Sequence, residues 1–239
     1  MTEAPRIRSI WRYPVSSMGG ERLERAEAGP GGLQGDRLWG VVAEDGEIAS
    51  PKQRRWRATP LALARLGDED RLELRLPSQG WQPADQAELA AHFGFPVRLV
   101  RHPAPGLAPD IPTVAPRYDV RALHLVTTAS LATLAERLPG SAVDLRRFRP
   151  NLVVDWPDRT LPFPESEWPA GMELMIGGTR LRVLEPCRRC AFVTIPQPDL
   201  DLDPAILDQI TRTNRADFGA LLAVAEPGPI AVGDRATLA

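Results

Sequence analysis

Apolar positions along the 239-residue chain recur mainly at every second place, in short runs broken by glycine and proline. Alternation with period two turns one side of an extended chain toward a core, so these runs are predicted to be strands. Residues 6–13 open the chain as a β-branched and aromatic strand that stops at Pro14. Residues 38–42 form another, which Asp45-Gly46 turns back through Ile48, and Leu72, Leu74 and Leu76 share one face of a third. Residues 96–100, 123–126 and 152–154 read the same way, and residues 172–176 and 179–183 flank Gly177-Gly178 as a tight hairpin. Helical spacing emerges at three places. Residues 85–92 end at Gly94, a stripe of Leu131, Leu134, Ala135 and Leu138 follows a cap at Thr127 or Thr128, and Asp203-Pro204 opens a helix through Ile206 and Ile210.

Many short strands, frequent turns and few helices imply a β-rich α+β architecture of barrel type. Prolines at 103, 105, 109, 112 and 116 make the middle of the chain loop-like, so the expected division is a first domain over residues 1–105 and a second over residues 106–239.

Composition narrows the partners. A formal charge of -2 gives no broad surface for nucleic acid or an acidic membrane. The arginines nonetheless gather at Arg54-Arg55-Arg57, Arg146-Arg147-Arg149 and Arg188-Arg189, a distribution that suits a compact anionic ligand. The chain starts without the apolar run of a signal peptide and contains no run of eighteen apolar residues, so a cytoplasmic protein with reduced cysteines is expected. The glycine tract over residues 29–37 lacks both the Gly-Lys-Ser/Thr ending of a phosphate-binding loop and the G-x-G-x-x-G order of a dinucleotide turn. Residues 15–20, rich in hydroxyls and glycine, make either an ordinary turn or a loop whose backbone N–H groups meet an oxyanion.

The candidate chemistry lies at Glu185-Pro186-Cys187-Arg188-Arg189-Cys190, which holds both cysteines of the chain. Apolar residues 181–184 and 191–193 flank it as strands bounded by Pro186 and Pro196, which places the cysteines at their connection. A thiolate beside two guanidinium groups has a lowered pKa and is ready to bind a soft metal or attack an electrophile. Three other readings stay open. A zinc site needs about four ligands and none of the three histidines has the spacing to add them. A redox pair of thioredoxin type needs a helix after the first cysteine. Two buried thiols can also serve simply as small hydrophobes.

Taken in order, Tyr13-Pro14-Val15-Ser16-Ser17, Gly35-Asp36-Arg37, Phe148-Arg149-Pro150-Asn151, Cys187-x-x-Cys190 and Val232-Gly233-Asp234 resemble the MOSC family over nearly the whole chain. The resemblance implies a small N-terminal β-barrel-like domain packed on a C-terminal MOSC β-barrel with a few short helices. It also implies a site for the molybdenum pyranopterin cofactor, as in family members of the amidoxime reducing component type. On that pattern Cys190 is the metal ligand and catalytic centre, and Cys187 is a neighbour. Arg37, Arg149, Asn151, Ser16, Ser17, Arg188 and Arg189 would hold the cofactor. Ser16 stands where the family usually has lysine, and Arg121 is a candidate to replace that charge. The stretch after Cys190, from Thr194 to Asp199, also departs from the family's Asp-Pro and Thr-Gly.

A soft thiolate suits molybdenum already held by a dithiolene, and guanidinium forks suit phosphate. The function implied is an oxidoreductase that removes an oxygen atom from a small N-hydroxylated compound. Its electrons would come from a separate donor protein, because the chain carries no flavin, haem or iron–sulfur motif of its own. Two alternatives are a carrier of the cofactor or its sulfur, and a metal-free protein with a persulfide on Cys190.

Overall fold

The computed structural model describes residues 4–101 and 123–238. In the first stretch the strands are β1 (Arg6–Arg12), β2 (Glu21–Leu23), β3 (Arg25–Gly29), β4 (Gly32–Leu33), β5 (Trp39–Ala43), β6 (Leu63–Leu66), β7 (Leu72–Arg75), β8 (Gln82–Pro83) and, after helix α1 (Gln86–Phe93), β9 (Val97–Arg101). The second stretch has β10 (Leu123–Thr127), α2 (Thr128–Arg137), β11 (Leu152–Asp155), β12 (Glu173–Ile176), β13 (Thr179–Arg188), α3 (Pro204–Asn214), β14 (Asp217–Glu226), β15 (Gly228–Ala231) and β16 (Ala236–Leu238).

Local chemistry sets the helix ends. Asp85 accepts from the Glu88 N–H at 2.9 Å and Gly94, at φ +77°, closes α1. Thr127 accepts from the Ser130 N–H to start α2, and Asp203 accepts from the Ala205 N–H with Pro204 in the first turn of α3. Leu134 buries from α2 and Ile206 and Ile210 from α3. Thr133 rather than Ala135 completes the inward face of α2.

Eight strands form one sheet in the order β16-β12-β13-β14-β10-β11-β1-β2. Its first-stretch strand β1 runs antiparallel to β11, with Ile10 opposite Leu152, so the N-terminus completes a sheet built mostly from the second half. The expected boundary at residues 105 and 106 lies outside the described residues. β10 and β11 are parallel, which demands a crossover, and α2 supplies it. Three smaller sheets pair β15-β3-β4, β5-β9 and β6-β7-β8.

Burial divides into three cores. One lies on a face of the large sheet around Ile10, Leu125, Leu152 and Leu222. A second joins Val15 and Met18 to Val41, Trp56, Leu74 and Leu89. The third packs Phe148, Val193 and Phe218 under α2 and α3. The loops where these cores meet carry the residues singled out by the motifs.

Two expectations around the cysteines need correction. The strand does not end at Pro186: β13 runs on to Arg188, and Pro186 sits where the register slips on both sides, so its missing N–H breaks no regular rung. Residues 191–193 are not a strand but part of a 3-10 turn, Ala191–Thr194. The Arg189 N–H still reaches the Ala216 carbonyl at 2.7 Å, but β14 begins only at Asp217. With its partner strand exhausted, the chain curls, Val193 N–H bonds the Cys190 carbonyl, and Val193 drops into the third core.

Candidate functional site

The two cysteines are free and unlike. From Cys187 to Cys190 the chain is extended, with Cys190 at φ -136° and ψ 179°. Alternate residues of an extended chain point to opposite sides, so a spacing of three separates the thiols across roughly 10 Å of backbone. Arg189 therefore shares a side with Cys187, and its Nη1 donates to the Cys187 sulfur at 2.9 Å. Arg188 is exposed, Cys190 half-buried. This arrangement removes the paired-dithiol readings and divides the two arginines between the two cysteines.

Cys187 is the buried member. Burial alone pushes its thiol up, but His124 and Arg189 outweigh that and bring it down to about 6. His124 Nε2 lies 3.1 Å from the Phe218 carbonyl, while its buried Nδ1 lacks a partner of regular hydrogen-bond geometry, so the ring acts on Cys187 chiefly as a nearby charge. The sequence expectation of an activated thiolate is met at this cysteine, with His124 as a contributor that counting histidines for zinc could not reveal.

Segments from both halves of the chain converge on Arg149, which reaches Phe192, two residues past Cys190. The Tyr13 N–H donates to Asp36 Oδ1 at 2.7 Å, and the Arg37 N–H to the Tyr13 carbonyl at 2.8 Å. Arg37 pairs with Asp36, and also donates to Asn151 Oδ1 at 3.2 Å and to the Arg149 carbonyl at 3.4 Å. Arg149 donates to the Met18 carbonyl and lies 4.3 Å over the Tyr13 ring and 5.4 Å from that of Phe192, two residues past Cys190. Arg189 Nη2 donates to the Phe148 carbonyl at 2.8 Å. Ser17, Arg37 and Arg149 all hold left-handed backbone, at φ +69°, +50° and +54°. For residues with a Cβ this costs of order 1 kcal/mol or more each, a cost often met at binding sites.

Other site expectations come out differently. Asn151 is fully buried and occupied within the protein: Oδ1 accepts from the His124 N–H at 3.2 Å as well as from Arg37, and Nδ2 donates to the Trp11 carbonyl at 3.2 Å. It positions Arg37 and ties β1, β10 and β11 together. In the loop of residues 15–20, the N–H groups of Ser16, Met18 and Gly19 bond Trp39, Val15 and Ala62 carbonyls, so these three are not offered to an oxyanion. Ser16 and Ser17 are half-buried. Arg121 lies outside the described residues. The three arginine clusters do not act together: Arg55 pairs with Asp45 and Glu47, Arg146 with Asp144, and buried Arg147 donates to the Ala142, Val193 and Asp201 carbonyls.

Arg37, Arg149 and Arg189 thus face one carboxylate, Asp36, and one thiolate. Among the described residues neither Arg149 nor Arg189 makes a salt bridge to a carboxylate. Burial, and then repulsion from Arg37, lower Arg149 to about 10, which still leaves it charged at neutral pH. Of the buried atoms without a hydrogen-bond partner among the described residues, three belong to this site: Tyr13 Oη, His124 Nδ1 and Arg189 Nε. Surplus positive charge with unmatched donors fits an anionic group. Among the described residues no three His, Cys, Asp or Glu side chains gather into a metal site. A metal here would bring most of its own ligands and take one thiolate, as a dithiolene-bound molybdenum does.

Residues 112–237 match the model of the MOSC domain and residues 4–91 that of the MOSC N-terminal beta barrel domain. The chain is 26% identical to mitochondrial amidoxime-reducing component 1 of Homo sapiens, covering 95% of this chain and 81% of that protein. It is 25% identical to the molybdenum cofactor sulfurase of Danio rerio over 91% of its own length but only 32% of the sulfurase. The crystal structure of the YUAD protein from Bacillus subtilis shares the fold, with a TM-score of 0.52, 11% identity, and 99% and 96% of the two chains covered. Among the described residues no helix is long and apolar enough to cross a membrane. With both family models matched in chain order over most of its length, the chain belongs to the MOSC family.

Proposed function

We propose that this MOSC protein is a molybdenum-cofactor-dependent oxidoreductase that reduces small N-hydroxylated compounds by removing their oxygen. The observation that carries this reading is the half-buried guanidinium pair, Arg149 and Arg189, without carboxylate partners among the described residues and with Arg189 next in the chain to the half-buried Cys190. Arg149 and Arg189 would hold the anionic part of the cofactor, and Cys190 would give its metal a soft protein ligand. Arg37, saturated by Asp36, Asn151 and the Arg149 carbonyl, holds the Arg149 backbone in place more than it binds ligand. Phe148 and Phe192 flank the guanidinium groups and limit water around them.

When bound, the cofactor supplies the two-electron redox chemistry. Reducing a hydroxylamine to an amine and water consumes two electrons and two protons, and the electrons come from a separate donor protein. The amidoxime-reducing relatives support the substrate class, and the sulfurase relatives support the cofactor.

The test is turnover of an aryl amidoxime by cofactor-loaded protein with a reduced viologen dye as donor. Amidine formation dependent on Cys190 supports the proposal. Loaded protein that reduces no N-hydroxylated compound is a carrier instead.

A further inference from the structure

Tyr13 has no role in the account so far, yet it is among the most confined side chains of the site. It is 1% exposed, with Arg149 4.3 Å and Arg37 5.4 Å from its ring centroid. Its backbone is pinned at both ends by Asp36 and Arg37. Gly20 closes against it so tightly that a Cβ there would fall 2.5 Å from Tyr13 Cδ1 and 2.2 Å from the Arg12 carbonyl oxygen. A ring held this way cannot swing its hydroxyl out to water, and the hydroxyl has no partner among the described residues.

A phenylalanine would fill the same space and keep the contacts between the ring and the guanidinium groups without burying an unmatched donor. The oxygen therefore costs stability in the empty protein, and it lies on the ring that Arg149 covers. Burial, opposed only in part by the two arginines, raises the phenol well above its ordinary range, so it keeps its proton and acts as a donor.

We propose that the Tyr13 hydroxyl donates a hydrogen bond to a phosphate group held by Arg149 and Arg189, making Tyr13 the neutral member of an oxyanion site. This inference rests on the reading that those arginines bind the anionic end of the cofactor.

The test compares wild type with Tyr13→Phe by thermal unfolding of cofactor-free protein, with and without inorganic phosphate and with chloride at matched ionic strength. Without phosphate, Tyr13→Phe should melt about 2–4 °C above wild type, since it loses an unsatisfied group worth about one such increment. With phosphate, its apparent affinity should be about tenfold weaker, the effect of one hydrogen bond to a charged acceptor. A variant less stable than wild type would mean that the hydroxyl already has a partner, and equal phosphate affinity would mean that it does not touch the anion; either overturns the inference. Wild type that binds phosphate but takes up no molybdenum cofactor refutes the proposed function and leaves the Tyr13 result standing. Wild type stabilised by neither ligand refutes both.

Discussion

Replacing Asn151 with leucine separates a structural tie from a cofactor contact. The two side chains branch alike but leucine's methyl groups are bulkier, so Asn151→Leu opens no cavity, and any overpacking at this buried position adds to the loss of hydrogen bonding. The backbone bonds of residue 151, from its N–H to the His124 carbonyl at 2.7 Å and from the Trp11 N–H to its carbonyl at 2.8 Å, survive the substitution. The lost bonds are from the His124 N–H, to the Trp11 carbonyl and from Arg37, each 3.2 Å. Arg37 is partly exposed and keeps Asp36, so water offsets its loss. The His124 N–H is buried and the Trp11 carbonyl part-buried, and both stay unmatched, at about 1–3 kcal/mol each with the carbonyl at the low end. Because 3.2 Å is at the long end of the range, a total of about 3 kcal/mol is expected. For a chain of this size that lowers the melting temperature by about 6–12 °C. The measurement is thermal unfolding of cofactor-free wild type and variant. A drop of under about 2 °C, coupled with loss of cofactor, would refute the reasoning and restore Asn151 to the ligand contacts.

Cys187 should titrate far below an ordinary thiol, with the thiolate absorbance rising near pH 6, and His124→Ala should move that midpoint upward because it removes a charge that favours the thiolate. The folded thiol is more acidic than the unfolded one, so its stabilisation is complete above the unfolded value of about 8.5 and is lost as pH falls through about 6. Between these limits wild-type stability should gain about 1.4 kcal/mol per pH unit relative to Cys187→Ser, and equal slopes in urea unfolding would contradict the assignment. Gly20→Ala should destabilise the protein and weaken phosphate binding, because the new Cβ meets the Arg12 carbonyl, a backbone atom that cannot rotate away; a variant with wild-type melting would show that the contact is not tight.

What the sequence revealed was what short-range chemistry decides. The caps at Thr127 and Asp203, the Gly94 end of α1 and the Gly177-Gly178 hairpin emerge where expected, because each depends on residues within a few positions. The alternating leucines of β7 face the second core as their period demands. Long-range pairing was not visible in this way. Nothing near Ile10 says that its strand will lie against Leu152, and nothing near His124 points to a cysteine 63 residues later. The motif residues were found by resemblance, but their division of labour depends on which side of the extended chain each one faces. That alternation sends Arg189 to Cys187 and leaves Cys190 on the other side. The left-handed backbone of Ser17, Arg37 and Arg149 was equally hidden, since it is the absence of a Cβ that normally advertises such a position.

The central proposal is that Cys190, and not the buried Cys187, donates the protein sulfur to molybdenum. X-ray absorption at the molybdenum edge, on cofactor-loaded wild type, Cys190→Ala and Cys187→Ala, measures that sulfur directly. The account predicts one sulfur fewer around the metal in Cys190→Ala and a wild-type spectrum in Cys187→Ala. An unchanged sulfur count in Cys190→Ala, or the loss appearing in Cys187→Ala instead, would contradict it.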